Sequence, residues 1–205
     1  MIYVYAVDVS SMEPACYEAL YAVASPERKA RADNCRKAEN TRCTIVAEAL
    51  LRYCVKQHLG MTECQLEKNE QGKPKIRNCN DFHFNISHSG HWVVLACGKT
   101  EVGIDVECIA KNGKEEKLAR RFFTLEEQDF VFGQDGEERF FQIWTAKESY
   151  LKYLGTGLQK SLNSFCTRSM THPKFFFHQL EDCAMTLCTE ENDWQLEILF
   201  PEQLL

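Results

Sequence analysis

The chain has 205 residues, of which 44% are hydrophobic and 26% are charged, and its formal net charge is −6 at pH 7. This length suits one large domain or two small halves around a buried core. The negative charge argues against a general nucleic-acid-binding protein. No apolar run approaches the ~20 residues that cross a bilayer, which argues against a membrane protein.

The chain begins with a predicted β-strand over residues 1–8. This segment lacks the basic flank of a secretory signal and reaches an acidic residue at Asp8. The eleven cysteines are odd in number and include no Cys-x-x-Cys pair. Free thiols in a reducing compartment explain this pattern better than a disulfide scaffold or a structural zinc site. We therefore expect a cytoplasmic protein.

The predicted helices of the first sixty residues carry an excess of basic side chains. Ser25 and Pro26 start one helix, and apolar residues at helical spacing predict a longer helix over residues 38–59 that ends at Gly60. Between residues 26 and 42 six bases stand against three acids. The excess indicates a local anion site, although a solvated helix face explains it about as well. The bases are Arg28, Lys29, Arg31, Arg36, Lys37 and Arg42.

A compact β region follows a turn at residues 71–74. Ser87-His88-Ser89-Gly90 is predicted as the turn between its first two strands. The small hydroxyls, the backbone N–H groups and His88 of this turn suit a phosphate clamp, but a plain polar turn has the same composition. We expect an antiparallel meander whose strands are residues 81–86, 92–97 and 102–107.

The second half of the chain again combines helices with short strands. Thr124 and Glu127 have the spacing of a capping box, which gives Glu127 an adequate structural role. We predict an α+β fold of two pseudo-symmetric halves, residues 1–101 and 102–205, each a small antiparallel sheet packed with helices, with the active site in the cleft between them. Predicted helices cover residues 114–122, a segment from 124, and 137–154, and predicted strands cover 163–169, 174–180, 184–189 and 194–200.

Two acidic residues share one face of the strand at residues 102–107. Asp105 and Glu107 are two positions apart, so their side chains point the same way. Carboxylates this close repel each other unless a cation lies between them. Exposed acids on an edge strand, which prevent edge-to-edge pairing, are the alternative. Gly103 in the same strand indicates a bulge or the close approach of a ligand.

Glu148 occupies an unusual position on the helix predicted over residues 137–154. At ~100° per residue it falls within an apolar stripe, where an unpaired carboxylate is unfavourable. An ordinary Glu–Lys pair with Lys152, worth ~0.3–0.5 kcal/mol, explains the spacing but not these surroundings. Three carboxylates with nearby lysines predict a divalent metal that holds a phosphorylated substrate. The stripe consists of Phe140, Phe141, Trp144 and Leu151.

These motifs, in this order, closely resemble the 4′-phosphopantetheinyl transferases, and more narrowly the surfactin-synthetase-activating type, a single chain of two pseudo-repeated halves. The resemblance runs from about residue 25 to residue 165. Its most specific part is the Gly-x-Asp-x-Glu strand at this separation from the Trp-x-x-Lys-Glu-x-x-x-Lys helix. The matching segments are Gly72-Lys73-Pro74, residues 84–90, residues 102–107, Arg121-Phe122-Phe123 and residues 144–152.

The resemblance implies a complete reaction. Coenzyme A binds in the cleft, and its 4′-phosphopantetheine group passes to a serine of an acyl or peptidyl carrier protein, with release of adenosine 3′,5′-bisphosphate. Mg²⁺ is the implied metal, with Mn²⁺ as its substitute. The carrier is expected beside the segment 120–123, where two arginines and two phenylalanines would supply charged and apolar contacts, unless the phenylalanines belong to the core. A monomer is implied, because the cleft forms within one chain.

The resemblance also implies roles for individual residues. Lys152 contacts the pyrophosphate and stabilises its developing charge, and Glu148 or a metal-bound water takes the serine proton. The implied metal ligands are Asp105, Glu107 and Glu148. The implied phosphate-binding residues are Lys73, Ser87 and His88, with Arg28, Arg31 and Arg42 around the adenosine 3′-phosphate.

Two other classes of protein share parts of the pattern. A metal-dependent phosphodiesterase or nucleotide hydrolase uses similar carboxylates but has water as its acceptor. A non-catalytic module that binds coenzyme A or a carrier is less compatible with the intact acidic set and Lys152. Product analysis with an apo carrier separates the transferase from the hydrolase.

Overall fold

The computed structural model describes residues 1–109, 113–133, 136–157 and 160–205, and it confirms the predicted α+β class. Within these ranges, none of the helices combines the length and the apolar character needed to cross a membrane. The helices are α1 (Pro14–Val23), α2 (Pro26–Asp33), α3 (Ala38–Leu59), α4 (Glu115–Phe122), α5 (Leu125–Val131) and α6 (Gly136–Leu154). The strands are β1 (Ile2–Asp8), β2 (Leu66–Lys68), β3 (Pro74–Ile76), β4 (His83–Ser89), β5 (Trp92–Gly98), β6 (Val102–Cys108), β7 (Lys174–Leu180), β8 (Cys183–Thr189) and β9 (Trp194–Leu199).

The larger sheet has four strands in the order β4-β5-β1-β9. β1 runs antiparallel to β5 and parallel to β9. Alternate residues of β1 point to opposite faces, and both faces are buried: Val7 lies in the cluster formed with α3, and Val4 lies in the cluster formed with the second sheet. This double burial explains why β1 is a continuous apolar run in the sequence.

The second sheet has three antiparallel strands in the order β6-β8-β7, and α6 packs against it. Ile104 points from β6 toward the first sheet, where it joins the shared apolar cluster. Gly103 belongs to the opposite face, next to the backbone of α6. The acidic residues Asp105 and Glu107 have the same parity as Gly103, so β6 presents them on the side of α6.

The two halves follow the same plan. In each, the second strand of a hairpin pairs over seven residues with the strand that opens the half: β5 with β1, and β8 with β6. A long helix, α3 or α6, packs against each sheet. The predicted boundary between residues 101 and 102 falls between β5 and β6, and it stays a prediction because β9 returns to pair with β1.

The expected meander of β4, β5 and β6 is wrong, because β6 pairs with β8 instead of β5. Where β6 meets β4, side chains of β4 accept hydrogen bonds from the backbone of β6. Asn85 Oδ1 accepts from Ile104 N at 3.0 Å, and Ser89 Oγ accepts from Cys108 N at 3.1 Å. Strands that are adjacent in sequence therefore belong to different sheets. The two sheets join along this β4–β6 line.

Predictions from local signals are confirmed at several helix ends. α3 covers residues 38–59 and ends at Gly60, whose φ is +66°. The capping box between Thr124 and Glu127 is present. The strand expected over residues 163–169 is wrong: the short 3-10 helix Leu162–Ser164 lies there. Helix α1 and strands β2 and β3 are additional elements.

The cysteines depart from the expectation of free thiols in one place. Cys108 and Cys183, 75 residues apart in sequence, form a disulfide. They are directly opposite in the β6–β8 register, which brings their side chains together. The other cysteines, all within the described ranges, are free.

Candidate active site

A cleft of about 310 Å³ lies between the two halves. One wall is the loop before β3 together with Asn85 of β4, and the other is the C-terminal part of α6 with the glycines that follow it. Glu148 and Lys152 both line this cleft. The lining residues are Gln71, Gly72, Lys73, Pro74, Asn85, Glu148, Leu151, Lys152, Gly155 and Gly157.

One polar cluster joins three elements at the cleft. Asp105 Oδ1 accepts from Lys152 Nζ at 2.6 Å and from Ser87 Oγ at 2.9 Å. The ammonium of Lys152 also lies 2.8 Å from Ser87 Oγ. Asp105 is 6% exposed, so this ion pair and hydrogen bond offset the unfavourable burial of its charge. The cluster brings together predicted residues from β4, β6 and α6.

Gly103 makes this arrangement sterically feasible. A Cβ at this position would clash with the backbone of Ser149 and Tyr153 in α6. The close approach that the glycine indicates is therefore that of a helix, and the expectation of a ligand there is wrong. Because the helix lies so close to β6, Lys152 can reach Asp105 across the interface.

Glu107 and Glu148 complete a set of three carboxylates around the cleft. Burial raises the pKa of both side chains, and the charge of Asp105 raises each pKa further. A hydrogen bond from Ser89 and the charge of Lys152 oppose this shift at Glu107. The carboxylates repel one another, a cation among them would relieve this repulsion, and an all-oxygen donor set is the type that Mg²⁺ prefers. The carboxylates therefore fit a hard divalent cation.

The carboxylates of Asp105, Glu107 and Glu148 do not form a compact metal site in this conformation. Within the described part of the chain, the three carboxylates are not among the groups whose ligand atoms all lie within 4.8 Å of one another. Asp105 is neutralised instead by the ammonium of Lys152.

Bases of the first half gather around His88. Burial lowers the pKa of His88, and the charges of Arg31, Lys152 and Arg28 lower it further. The imidazole is therefore held neutral in a cationic environment. Arg28 Nε lies 3.9 Å from Glu48 Oε2, and the same carboxylate accepts from the N-cap Ser25 at 2.6 Å. No local motif distinguishes Glu48 in the sequence, and we did not predict its role.

The predicted turn at residues 87–90 is wrong in part. Ser87, His88 and Ser89 lie in β4, and Gly90 (φ +54°) begins the turn. A strand paired with β5 does not form the expected nest of backbone N–H groups. The hydroxyl of Ser87 remains as the group directed at the cleft, because Ser87 Oγ contacts Lys152. The neighbouring His88 points to the other face of β4, and the charges of Arg31, Lys152 and Arg28 act on its imidazole.

Two predicted phosphate-binding residues are engaged in holding the fold. Lys73 Nζ donates to Glu101 Oε2 at 2.6 Å and to the carbonyls of Val102 and Tyr153 at 3.0 and 3.1 Å. These three bonds use all three donors of the ammonium and tie the two halves together. Arg42 donates to the carbonyls that follow β1, at 3.3 and 3.4 Å.

The segment 120–123 divides between surface and core. Arg120 and Arg121 are exposed, whereas Phe123 is 3% exposed and stacks on Phe140. The alternative that this phenylalanine belongs to the core is therefore confirmed. Arg120 lies over the exposed ring of Phe132, 4.9 Å from its centroid.

The second half contains a buried ion pair that we did not predict. Lys147 Nζ lies 2.7 Å from Glu127 Oε2, and neither side chain is exposed. Glu127 Oε1 accepts from the N–H and hydroxyl of Thr167 at 2.8 and 2.9 Å. The capping-box spacing identified Glu127, but nothing local indicated its distant partners.

Comparisons with known proteins agree with these observations. A family model described as the 4′-phosphopantetheinyl transferase superfamily matches residues 101–199, and one described as 4′-phosphopantetheinyl transferase, N-terminal, matches residues 11–100. The chain is 36% identical over 156 residues to 4′-phosphopantetheinyl transferase psf-1 of Bacillus pumilus, which covers 74% of this chain and 66% of that protein.

Two Bacillus subtilis relatives show similar likeness. The chain is 34% identical over 149 residues to 4′-phosphopantetheinyl transferase Sfp, which covers 70% of this chain and 66% of Sfp. It is 32% identical over 154 residues to a 4′-phosphopantetheinyl transferase, which covers 73% of this chain and 68% of that protein. The chain thus spans about two thirds of the length of these relatives.

Proposed function

This chain belongs to the 4′-phosphopantetheinyl transferase superfamily, and we propose that it transfers the 4′-phosphopantetheine group of coenzyme A to a serine of an acyl or peptidyl carrier protein. The observation that carries the proposal is the cluster of Ser87, Asp105 and Lys152 across the two halves. It combines an ammonium that can bind phosphate oxygens with a carboxylate whose charge repels the neighbouring Glu107 and Glu148. A metal ion together with a phosphorylated ligand would suit such a site.

The phosphates of coenzyme A are proposed to bind on the side of the first half. Arg28 and Arg31, near the neutral imidazole of His88, form a region of positive charge there, which attracts an anion. Lys73 lines the same cleft but has three partners. It can reach a phosphate by releasing Glu101, whose side chain is 48% exposed. Arg42 can contribute similarly only by leaving its carbonyl partners.

The carboxylates of Asp105, Glu107 and Glu148 are proposed to hold Mg²⁺, with Mn²⁺ as its substitute. When bound, the ion supplies neutralisation of the pyrophosphate charge and a Lewis acid at the phosphorus. Lys152, which pairs with Asp105 here, would then be free to donate to a phosphate oxygen. The raised pKa values of Glu107 and Glu148 support this proposal, because burial and the charge of Asp105 disfavour their ionised forms more than the charge of Lys152 favours them.

The chemistry at the serine requires a base. In the proposed reaction the serine Oγ forms a bond to phosphorus, the phosphoanhydride bond breaks, and adenosine 3′,5′-bisphosphate leaves. Glu148 accepts the serine proton. A base works best when its pKa is near the pH of reaction. Burial raises the pKa of Glu148 in that direction, whereas a bound cation would lower it, so Glu148 is proposed as the base while it coordinates the ion weakly. Lys152 stabilises the charge that develops on the phosphate oxygens.

The carrier is proposed to dock on the surface formed by Arg120, Arg121, Leu125 and Phe132. The two arginines are exposed, and the exposed fractions of Leu125 and Phe132 are 79% and 43%. Basic and apolar groups together suit an acidic partner with an apolar helix face. Because both walls of the cleft come from one chain, we expect a monomer, and the compartment we expect is the cytoplasm.

The direct test mixes the protein with coenzyme A, Mg²⁺ and an apo carrier, and follows the carrier by intact mass spectrometry. The carrier should gain one phosphopantetheine group at a serine. Glu148→Gln should abolish this gain but leave coenzyme A binding measurable by calorimetry. Glu138→Gln, at an exposed position of the same helix, is the matched control and should behave like the natural protein.

Two outcomes would contradict the proposal. Release of nucleotide without modification of any carrier in a panel would identify a hydrolase. Unchanged transfer by Glu148→Gln would remove its assigned role as base.

A further inference from the structure

A second cluster of metal-binding side chains lies outside the cleft, at the end of the β6–β8 pair. Among the described residues, two overlapping groups have ligand atoms that all lie within 4.8 Å of one another. One group consists of Cys108, Asp182 and Cys183, and the other of His91, Glu181 and Asp182. Asp182 belongs to both groups. It therefore lies near the sulfur donors of the first group and the nitrogen and oxygen donors of the second.

Three segments that are distant in sequence supply these donors. His91 lies in the turn between β4 and β5, and Glu181 and Asp182 form the turn between β7 and β8. Cys108 ends β6 directly opposite Cys183, the first residue of β8. Only the junction of the two sheets brings these segments together, so the sequence contains no linear metal-binding motif.

Two distances to Asp182 suit a tetrahedral site, whereas His91 and the cysteines belong to separate groups and must approach one another to share an ion. Cys183 Sγ lies 3.6 Å from Asp182 Oδ1, and His91 Nε2 lies 3.7 Å from the same oxygen. With Zn–S bonds of ~2.3 Å and Zn–N or Zn–O bonds of ~2.0 Å, neighbouring ligand atoms are roughly 3.3–3.8 Å apart. Both distances from Asp182 fall in this range, so the carboxylate can share one ion with either neighbour.

We propose that Cys108, Cys183, Asp182 and His91 bind one zinc ion, or a cation of similar softness, when the Cys108–Cys183 bridge is reduced. Two thiolates, an imidazole and a carboxylate form a donor set that favours zinc over Mg²⁺. This preference distinguishes the site from the all-oxygen set in the cleft. Glu181 Oε2, 4.0 Å from His91 Nε2, is a further oxygen at its edge.

The disulfide makes the site dependent on redox state. A thiol reductant supplies two electrons: the Sγ–Sγ bond breaks, each cysteine sulfur takes a proton, and the reductant leaves as its own disulfide. Zinc then displaces the two thiol protons. Directly opposed residues on antiparallel strands have Cβ atoms ~4.5–5.5 Å apart, a separation that suits two thiolates on one ion.

The surroundings favour the arrival of a cation. The side chains of Glu181 and Asp182 are 73% and 61% exposed, so they can reorient toward an ion without repacking the core. No Lys or Arg follows Lys174 in the sequence, so the hairpin supplies no basic side chain of its own beyond its first residue. The ion would also anchor the end of β6 next to Glu107.

Cobalt provides the test, because thiolate ligands give Co²⁺ a charge-transfer absorption that oxygen ligands do not. The full chain is reduced with a dithiol, freed of reductant by anaerobic gel filtration, and titrated with Co²⁺ in excess Mg²⁺, which competes in the cleft. We expect one equivalent of Co²⁺ with a thiolate band, displacement by Zn²⁺, and no band for the disulfide form.

Variants assign the ligands. Cys108→Ser/Cys183→Ser should lose the band although nine cysteines remain, and Cys188→Ser, a buried thiol of the same strand β8, should keep it. His91→Ala and Asp182→Ala change partly exposed side chains, so the fold persists. Each should weaken Zn²⁺ affinity roughly tenfold or more, since even outer partners of a metal site contribute that much. Asp193→Ala is their exposed control.

Three results would each overturn the proposal. They are absence of the thiolate band in the reduced natural chain, persistence of the band in the double serine variant, and unchanged Zn²⁺ affinity in both His91→Ala and Asp182→Ala.

Discussion

Two lysines of α6 form ion pairs of nearly equal length in very different surroundings. Lys147 Nζ lies 2.7 Å from Glu127 Oε2, and Lys152 Nζ lies 2.6 Å from Asp105 Oδ1. Both side chains of the first pair are fully buried, whereas Lys152 is 28% exposed at the cleft. The length of an ion pair therefore does not distinguish the fully buried lysine from the lysine at the cleft.

The remaining hydrogen-bonding capacity does distinguish them. Lys147 also donates to the carbonyls of Leu162 and Phe165, both at 2.7 Å. These bonds and those of Glu127 to Thr124 and Thr167 saturate the buried pair within the protein. The cleft pair instead adjoins two further carboxylates whose pKa values are raised. The buried pair stabilises the second half. The cleft pair lies beside carboxylates whose negative charge a bound cation can neutralise.

Removing one member of the buried pair should have the largest effect. Glu127→Gln leaves the Lys147 ammonium in the interior without a counter-charge. We expect the free energy of unfolding to fall by about 3–5 kcal/mol, as measured by urea denaturation. Glu126→Gln, at a side chain that is 56% exposed, is the control and should change stability little. A loss below about 1 kcal/mol for Glu127→Gln would show that the interior tolerates the unpaired lysine.

Removing the lysine of the cleft pair should affect catalysis more than folding. Lys152→Ala is expected to lower the rate of phosphopantetheine transfer by about 10²–10³-fold, because a donor to the developing phosphate charge is lost. Asp105 keeps the Ser87 hydroxyl as a partner, so the loss of stability should be smaller than for Glu127→Gln. The exposed Lys99→Ala is the control. If Lys152→Ala lost much stability but kept its transfer rate, Lys152 would be the structural lysine and the comparison with Lys147 would be reversed.

A third test moves α6 without changing either ion pair directly. Gly103→Ala places a methyl group against the backbone of Ser149 and Tyr153. We expect a loss of about 1–3 kcal/mol in the free energy of unfolding, as for other overpacked positions, and slower transfer by the folded fraction. Gly133→Ala is a milder control, because its Cβ first meets the side-chain end of Arg139. Equal stability of the two variants would contradict the tight strand–helix contact.

The smallest effect should be a change in the titration of His88. Its pKa lies below the usual value because of burial and the neighbouring bases. The folded state therefore favours neutral imidazole, and its contribution to stability is lost as the pH falls below the ordinary pKa. A bound phosphate favours the imidazolium, so adenosine 3′,5′-bisphosphate should raise this pKa in an NMR titration.

His88→Gln assigns the resonance, and His178, away from the cleft, is the internal control. An unchanged or lowered pKa on nucleotide binding would place the phosphates elsewhere.

Local sequence signals predicted those parts of the molecule that depend on neighbouring residues. Gly60 ends α3 in the left-handed conformation that glycine favours, and Thr124 and Glu127 form the expected capping box. The period-two alternation of Asp105 and Glu107 correctly assigned both carboxylates to one face. Helical periodicity placed Glu148 beside buried residues, and it lines the cleft.

These local signals did not predict contacts between residues that are far apart in the sequence. Both edges of β5 are paired, with β4 and with β1, so β6 pairs with β8 and not with its neighbour in sequence. Side-chain acceptors on β4 bind the backbone of β6. The ammonium of Lys147 donates to the carbonyls of Leu162 and Phe165. The strand predicted over residues 163–169 is absent, and a short 3-10 helix lies there instead. The disulfide follows from the same distant pairing.

The sequence by itself determined the family resemblance, the α+β class, most helix boundaries and the residue types of the candidate site, because these follow from backbone preferences and side-chain spacing over a few residues. The tertiary structure decided which lysine is buried and which faces the cleft. It also decided that Lys73 ties the halves together, and that His91 approaches Asp182. The physical reason is that burial, desolvation and ion pairing depend on atoms brought together from distant segments, whose pairing no local pattern specifies.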